Sequence, residues 1–239
     1  MANAYRKRRI IISVISLGLF CYLIITNTPN ISNQTELVAS ENTNITEKTD
    51  NISNPAIEAL AKLLIKGRAP KTDYSREQFG SGWNTIGGCD TRNIILNRDL
   101  ADVQIDESCN VISGKLNDPY TGKTILFVRG GETSSAIQID HSVALGDAWQ
   151  KGAQQLTKER REELANDPLE LLAVDGPANM QKSDGDAATW LPSNKSFRCQ
   201  YVARQIAVKQ KYSLWVTQAE HDVINNILQT CPEQQMPSV

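Results

Sequence analysis

Hydrophobic and polar positions change texture along the chain. Residues 10–25 form a 16-residue run without a charge, behind a basic cluster at Arg6, Lys7, Arg8 and Arg9. The run is slightly short for a spanning helix and slightly long for the apolar core of a signal peptide. Thr26-Asn27-Thr28-Pro29 follows, with no small-x-small cleavage signature, and Phe20 ahead of Cys21 argues against lipoprotein processing. Residues 1–26 therefore read as an uncleaved signal anchor ahead of a cleaved signal peptide, with the basic end cytoplasmic. Either way the remainder is exported. From 26 to 54, 16 of 29 residues are Asn, Thr or Ser and none is aromatic. Such a stretch buries too little apolar surface to offset its ordering entropy, so residues 27–54 read as a flexible tether.

The pattern then becomes that of a folded domain. Asn54-Pro55 followed by Ile57, Leu60, Leu64 and then Gly67 gives an N-cap, an N1 proline, an apolar stripe and a terminal glycine, predicting a short helix over 55–67. From Tyr74, short β-rich runs alternate with turn residues. Strands are predicted over 103–105, 109–112, 124–128 and 136–139, with a turn at 117–122. Helical periodicity follows: Thr157 caps a charged helix to about Ala165, residues 196–211 carry an apolar face, and Thr217-Gln218-Ala219-Glu220 is a capping box opening the last helix. Strands first and helices later predict an α+β domain over 70–232, ending in a C-terminal helical hairpin, with 233–239 as a tail.

Charge narrows the function classes. The chain carries 25 basic and 27 acidic residues; four basic residues precede residue 10, leaving 21 against 27 afterwards. That is not the charge of a protein that coats nucleic acid non-specifically, so any such contact needs a local basic site. With two histidines, His141 and His221, a three-histidine zinc site is impossible. The Asn-x-Ser/Thr matches at Asn30, Asn33, Asn44 and Asn51 follow from composition.

Cys21 lies in the apolar run, leaving Cys89, Cys109, Cys199 and Cys231, which allow three pairings. Cys199 sits near the start of one predicted helix and Cys231 at the end of the next. An antiparallel hairpin brings them together, predicting Cys199–Cys231 and, by exclusion, Cys89–Cys109. Zinc is disfavoured because no CxxC pair exists.

The most informative segment is Ser135 to Leu145, where a β-run ends in Asp140-His141. Aspartate offers a hard oxygen suited to magnesium, and histidine titrates near neutrality and can take a proton from water. A second apolar run, 171–174, leads into Asn179-Met180-Gln181-Lys182-Ser183-Asp184. A strand ending in Asp-His, a second strand, then Asn-x-x-Lys entering a helix resembles the HNH, or ββα-metal, endonuclease family. The resemblance is closest to the branch of secreted bacterial HNH nucleases and GmrSD-type restriction enzyme C-terminal domains. Phrases similar to that branch are Thr91-Arg92-Asn93, Arg98-Asp99-Leu100, Asp118-Pro119-Tyr120-Thr121-Gly122, Ile139-Asp140-His141, Ala148-Trp149 and Asp186-Ala187-Ala188-Thr189-Trp190-Leu191-Pro192. The resemblance covers about residues 74–216.

The resemblance implies a ββα-metal core within a single disulfide-stapled domain, hydrolysing phosphodiesters in nucleic acid, DNA ahead of RNA. Few base-reading elements and a negative domain predict low sequence specificity. The resemblance makes His141 the general base and gives Asp140 and Asn179 one Mg²⁺ or Mn²⁺. Lys182 is expected to contact a phosphate. One position departs from the family pattern: Glu170 stands nine residues before Asn179, where an Asn that orients the histidine's loop is expected. Glu170 either hydrogen-bonds as that Asn does, joins the metal shell, or weakens catalysis. The alternative function is a catalytically impaired nucleic-acid-binding or cell-envelope interaction module of the same fold. Arg92 and Arg129 are candidates for phosphate or carboxylate contacts, with an ordinary surface role evenly weighted. Asp184 and Asp186 read as a solvated loop ahead of metal ligands, Trp149 and Trp190 as core, and His221 as surface.

Overall fold

The computed structural model describes residues 54–130 and 134–237. The proposed anchor and nearly all of the tether lie outside the described residues, as do the Asn-x-Ser/Thr matches at Asn30, Asn33, Asn44 and Asn51. Among the described residues no helix is long and apolar enough to cross a membrane.

Helix α1 (Pro55–Leu60) opens as its sequence suggests, with Asn54 Oδ1 accepting from the amides of Ala56 and Ile57 at 3.0 and 3.3 Å. It stops well before Gly67 because the backbone finds other partners. Lys66 N donates to Val216 O at 2.9 Å and Val216 N to Leu64 O at 3.0 Å, so 64–66 runs extended alongside 216. The chain then crosses the domain as a strap, held by Ala69 N to Gln150 O (2.8 Å) and Trp149 Nε1 to Thr72 O (3.1 Å).

A small hairpin, β1 (Thr85–Ile86) with β2 (Cys89–Asp90), leads into helix α2 (Thr91–Asp99). This helix was not expected, although Asp90 caps it by accepting from Asn93 N at 2.7 Å. Strands β3 (Leu100–Ile105), β4 (Val111–Asn117) and β5 (Thr124–Val128) form an antiparallel meander. A separate antiparallel pair joins β6 (Ile137–His141) to β7 (Leu171–Asp175), with Ile137 opposite Asp175 and His141 opposite Leu171. Between them lie α3 (Leu145–Gln150), also unforeseen, and α4 (Lys158–Asn166), capped by Thr157.

Helix α5 (Gly176–Lys182) starts the residue after β7 ends, with Asp175 as its cap. The tight join needs glycine: a Cβ on Gly176 would lie 2.5 Å from Ser135 O. Helices α6 (Arg198–Lys211) and α7 (Gln218–Leu228) form the terminal hairpin, burying Val202, Ile206, Ile224 and Leu228 against α1 and Leu172. Each such buried aliphatic side chain contributes about 1.5–3 kcal/mol. The disulfides are Cys89–Cys109 and Cys199–Cys231. The result is an α+β domain with two disulfides.

Candidate active site

Strand β6 ends by delivering Asp140 and His141 as consecutive residues, and α5 presents Asn179 nearby. All three line one polar cleft of about 250 Å³, together with Tyr74, Arg76, Ser183 and Asp184. His141 Nε2 lies 3.0 Å from Ala165 O. A carbonyl only accepts, so this nitrogen carries the proton and Nδ1 keeps the lone pair. The imidazole lies parallel to Trp83, with ring centroids 6.0 Å apart and 9° between planes. Burial, then the positive charge of Arg76, lower its pKa to about 3. At neutral pH the ring is uncharged and in its base form.

Asp140 is held from two sides. Tyr120, buried in the turn after β4, donates its hydroxyl to Oδ2. Lys182 Nζ reaches Oδ1 at 3.0 Å and His141 O at 2.7 Å. Lys182 is therefore not a phosphate contact: its side chain is 0% exposed and spent on Asp140. Helical geometry explains this: three residues apart, Asn179 and Lys182 share the face of α5 that lies on β6, where Asn179 meets Gln138 and Lys182 meets Asp140 and His141 O. Asn179 Nδ2 donates to Gln138 Oε1 at 2.9 Å, which leaves its Oδ1 available to a ligand.

Two hard oxygen donors, Asp140 and Asn179, suit Mg²⁺ or Mn²⁺ better than a softer ion. Among the described residues no group of three or more His, Cys, Asp or Glu forms a ready cage. The donor set fits an ion that keeps several waters and draws further ligands from a phosphate, as magnesium commonly does.

Glu170 does not reach the cleft. It is fully buried, accepting from Ser142 Oγ at 2.8 Å and from Val143 N at 3.1 and 3.2 Å, while its backbone carbonyl accepts from Ser142 N at 2.9 Å. It thus clamps the two residues after His141, and of its three expected roles the geometry carries the first. Burial pushes its pKa up to about 8, against the lowering effect of those hydrogen bonds. At neutral pH it is mostly a neutral carboxylic acid, close in hydrogen-bonding character to an amide.

Arg92 also falls away from the cleft: its guanidinium makes a long 3.5 Å approach to Ile137 O, at the opposite end of β6 from His141. Arg129 is bound to Asn93 and to Val111 O. Asp184 does line the cleft and pairs with Lys71, whereas Asp186, expected in solvent, is buried. It belongs to a cluster in which Lys151 meets Asp147, Asp186 and Glu220 at 2.8, 2.7 and 2.6 Å. Lys209 meets Glu220 at 2.8 Å, and Arg68 binds Asp147 and Asp186. Trp149 is buried in one core cluster, and Trp190 packs against another, beside Tyr120 and Tyr201.

Sequence reasoning passed over Tyr120, Trp83 and Arg76 as site residues. Tyr120 lay inside a quoted motif, which was the available signal. Trp83 and Arg76 carried none.

The model for the family described as GmrSD restriction endonucleases, C-terminal domain, matches residues 90–227. An uncharacterized secreted protein of Arthroderma benhamiae is 38% identical over 175 residues, covering 72% of this chain and 82% of that protein. No solved structure matches the chain. With more than half its length matched by the family model, the chain belongs to the family of GmrSD restriction endonuclease C-terminal domains and carries a nuclease-type domain.

Proposed function

We propose that the protein is an exported, metal-dependent HNH endonuclease that hydrolyses phosphodiester bonds in DNA, and in RNA secondarily, with low sequence specificity. The observation that carries this reading is the meeting of a neutral, tautomer-fixed histidine with two hard oxygen donors in one cleft. His141 takes the proton of a water through Nδ1 as that water attacks phosphorus, and the 3′ oxygen departs. The carbonyl of Ala165 holds the imidazole and stabilises the charge it gains. Glu170 fixes the loop behind it. Asp140 and Asn179 would hold one Mg²⁺ or Mn²⁺, which when bound supplies counter-charge to the phosphate and the departing oxygen. Tyr120 and Lys182 position Asp140. Export is supported by the two disulfides, which suit an oxidising compartment, and by the word secreted in the relative's name. Residues 1–26 are proposed to act as the anchor or signal.

One observation favours a second reading, a binding module of the same fold. Both Asp140 oxygens are already engaged, one by an ammonium, which weakens its pull on a cation. The test is supercoiled plasmid incubated with the full chain in Mg²⁺, Mn²⁺ or EDTA, beside His141→Ala. Nicking that needs both the metal and His141 supports the nuclease. Plasmid binding without nicking under any condition supports the module.

A further inference from the structure

A second cavity, about 140 Å³, adjoins the cleft and shares Arg76, His141 and Leu145 with it. Its other walls are Phe79, Trp83, Ala165 and the backbone of Gly80 and Gly82. The two spaces differ in chemistry. The first is lined by two carboxylates, an amide and two hydroxyls, the second mainly by aromatic and aliphatic surface. Arg76 stands between them, exposed, with no hydrogen-bond or ion-pair partner among the described residues.

We propose that Arg76 and the cavity walled by Phe79, Trp83 and Leu145 form a nucleotide subsite beside His141, gripping one phosphate and admitting one unpaired nucleobase, so that single-stranded nucleic acid is the preferred substrate. This rests on the nuclease reading and names its substrate form. A guanidinium fork matches phosphate geometry, and an unpaired one costs nothing to recruit from a carboxylate. An aromatic face beside it suits a base, whose stacking on such surfaces is tolerant of sequence. The cavity is smaller than the ~300 Å³ at which pockets for larger ligands begin, so it has room for a single ring system. Gly82, on the cavity wall, borders open space, and its φ of 154° disfavours other residues there. A base in a duplex would first have to leave its stack to enter, a step an unpaired strand avoids. Arg76, Phe79 and Trp83 all precede residues 90–227, so the subsite lies mostly outside the segment matched by the family model.

The test is a binding titration of the full chain with a fluorescent single-stranded DNA decamer and with the same decamer in a duplex. It is run in EDTA, and the oligonucleotide is checked for integrity afterwards. The single strand should bind about tenfold tighter or more. Trp83→Ala should weaken single-strand binding about 5- to 150-fold and leave duplex binding unchanged, with Trp83→Phe restoring most of it. Arg76→Ala should flatten the dependence of log affinity on log salt by about 0.7, the value for one phosphate contact on a single strand. An abasic residue scanned along the decamer needs no protein variant. It should weaken binding at one position, and that loss should not add to the loss from Trp83→Ala. Equal affinity for both forms, or no abasic position that matters, overturns the subsite while leaving the nuclease reading intact. Binding of neither form, with no nicking of plasmid, overturns the nuclease reading itself.

Discussion

Two charged regions, one buried and one opening to a cleft, are built on opposite terms. Around Lys151, three cations (Lys151, Lys209 and Arg68) face three carboxylates (Asp147, Asp186 and Glu220), and the cluster is charge-neutral. Lys151, Lys209 and Glu220 have fully buried side chains. Burying that many charges is expensive unless each is matched. Around Asp140, by contrast, matching stops short. Tyr120 and Lys182 satisfy the carboxylate, but His141 Nδ1, Asn179 Oδ1 and the Arg76 guanidinium have no protein partner among the described residues. The first region joins α3, α7 and the strap into one body. The second keeps bonding capacity for something that is not protein.

The comparison can be broken from either side. His141→Ala should reduce nicking by the fraction that remains folded about 10²- to 10⁴-fold; a loss of nicking no larger than the loss of folded protein would make the residue structural. Lys151→Met should do the reverse, costing about 3–5 kcal/mol of stability in denaturant titration by stranding buried carboxylates. The activity of the fraction that remains folded should be unchanged. Tyr120→Phe sits between the two. Losing the hydroxyl on Asp140 should cost about 1–3 kcal/mol, and metal titration by calorimetry should show changed affinity if Asp140 is a ligand.

The smallest effect sharpens the comparison through pH. The Glu170 pKa is raised by folding from 4.5 to about 8, so its contribution is full below 4.5 and is lost as pH rises through 8. The His141 pKa is lowered from 6.5 to about 3, so its contribution is full above 6.5 and is lost as pH falls toward 3. Between 4.5 and 6.5 the two slopes oppose. Between 6.5 and 8 only Glu170 acts, and stability should decline by at most about 1.4 kcal/mol per pH unit. Glu170→Gln should abolish that decline in melting temperature and keep nicking active. A variant that melts with the same alkaline slope as the parent would show that Glu170 titrates normally.

What the sequence made legible was local. The caps at Asn54, Thr157 and Thr217 mark helix starts because a side chain two or three residues from an amide carries the signal. The Cys199–Cys231 pairing follows from two helices joined by a short turn. Asp140, His141 and Asn179 share a cleft because two paired strands and a flush helix leave few other arrangements. What stayed hidden depends on distant partners. Glu220 looked like half of a capping box, but its carboxylate turns to Lys151, 69 residues away. Lys182 read as a phosphate contact, but its helix lies on β6 and turns it to Asp140. Helix α2 escaped notice because its buried positions include Thr91 and Asn93, which do not read as an apolar stripe.

Asn54 does more than open α1. Its Nδ2 donates to Leu228 O at 3.2 Å and to Cys231 O at 2.9 Å, so the point where the described domain begins is tied to the point where its last helix ends. The Cys199–Cys231 bridge then fastens that corner to the start of α6. A mechanical load entering from the N-terminal side would therefore meet a covalently braced corner at once, without first running through β6 or α5. A domain with its entry and exit side by side can also be hung from, or spliced into, another polypeptide with its working cleft undisturbed.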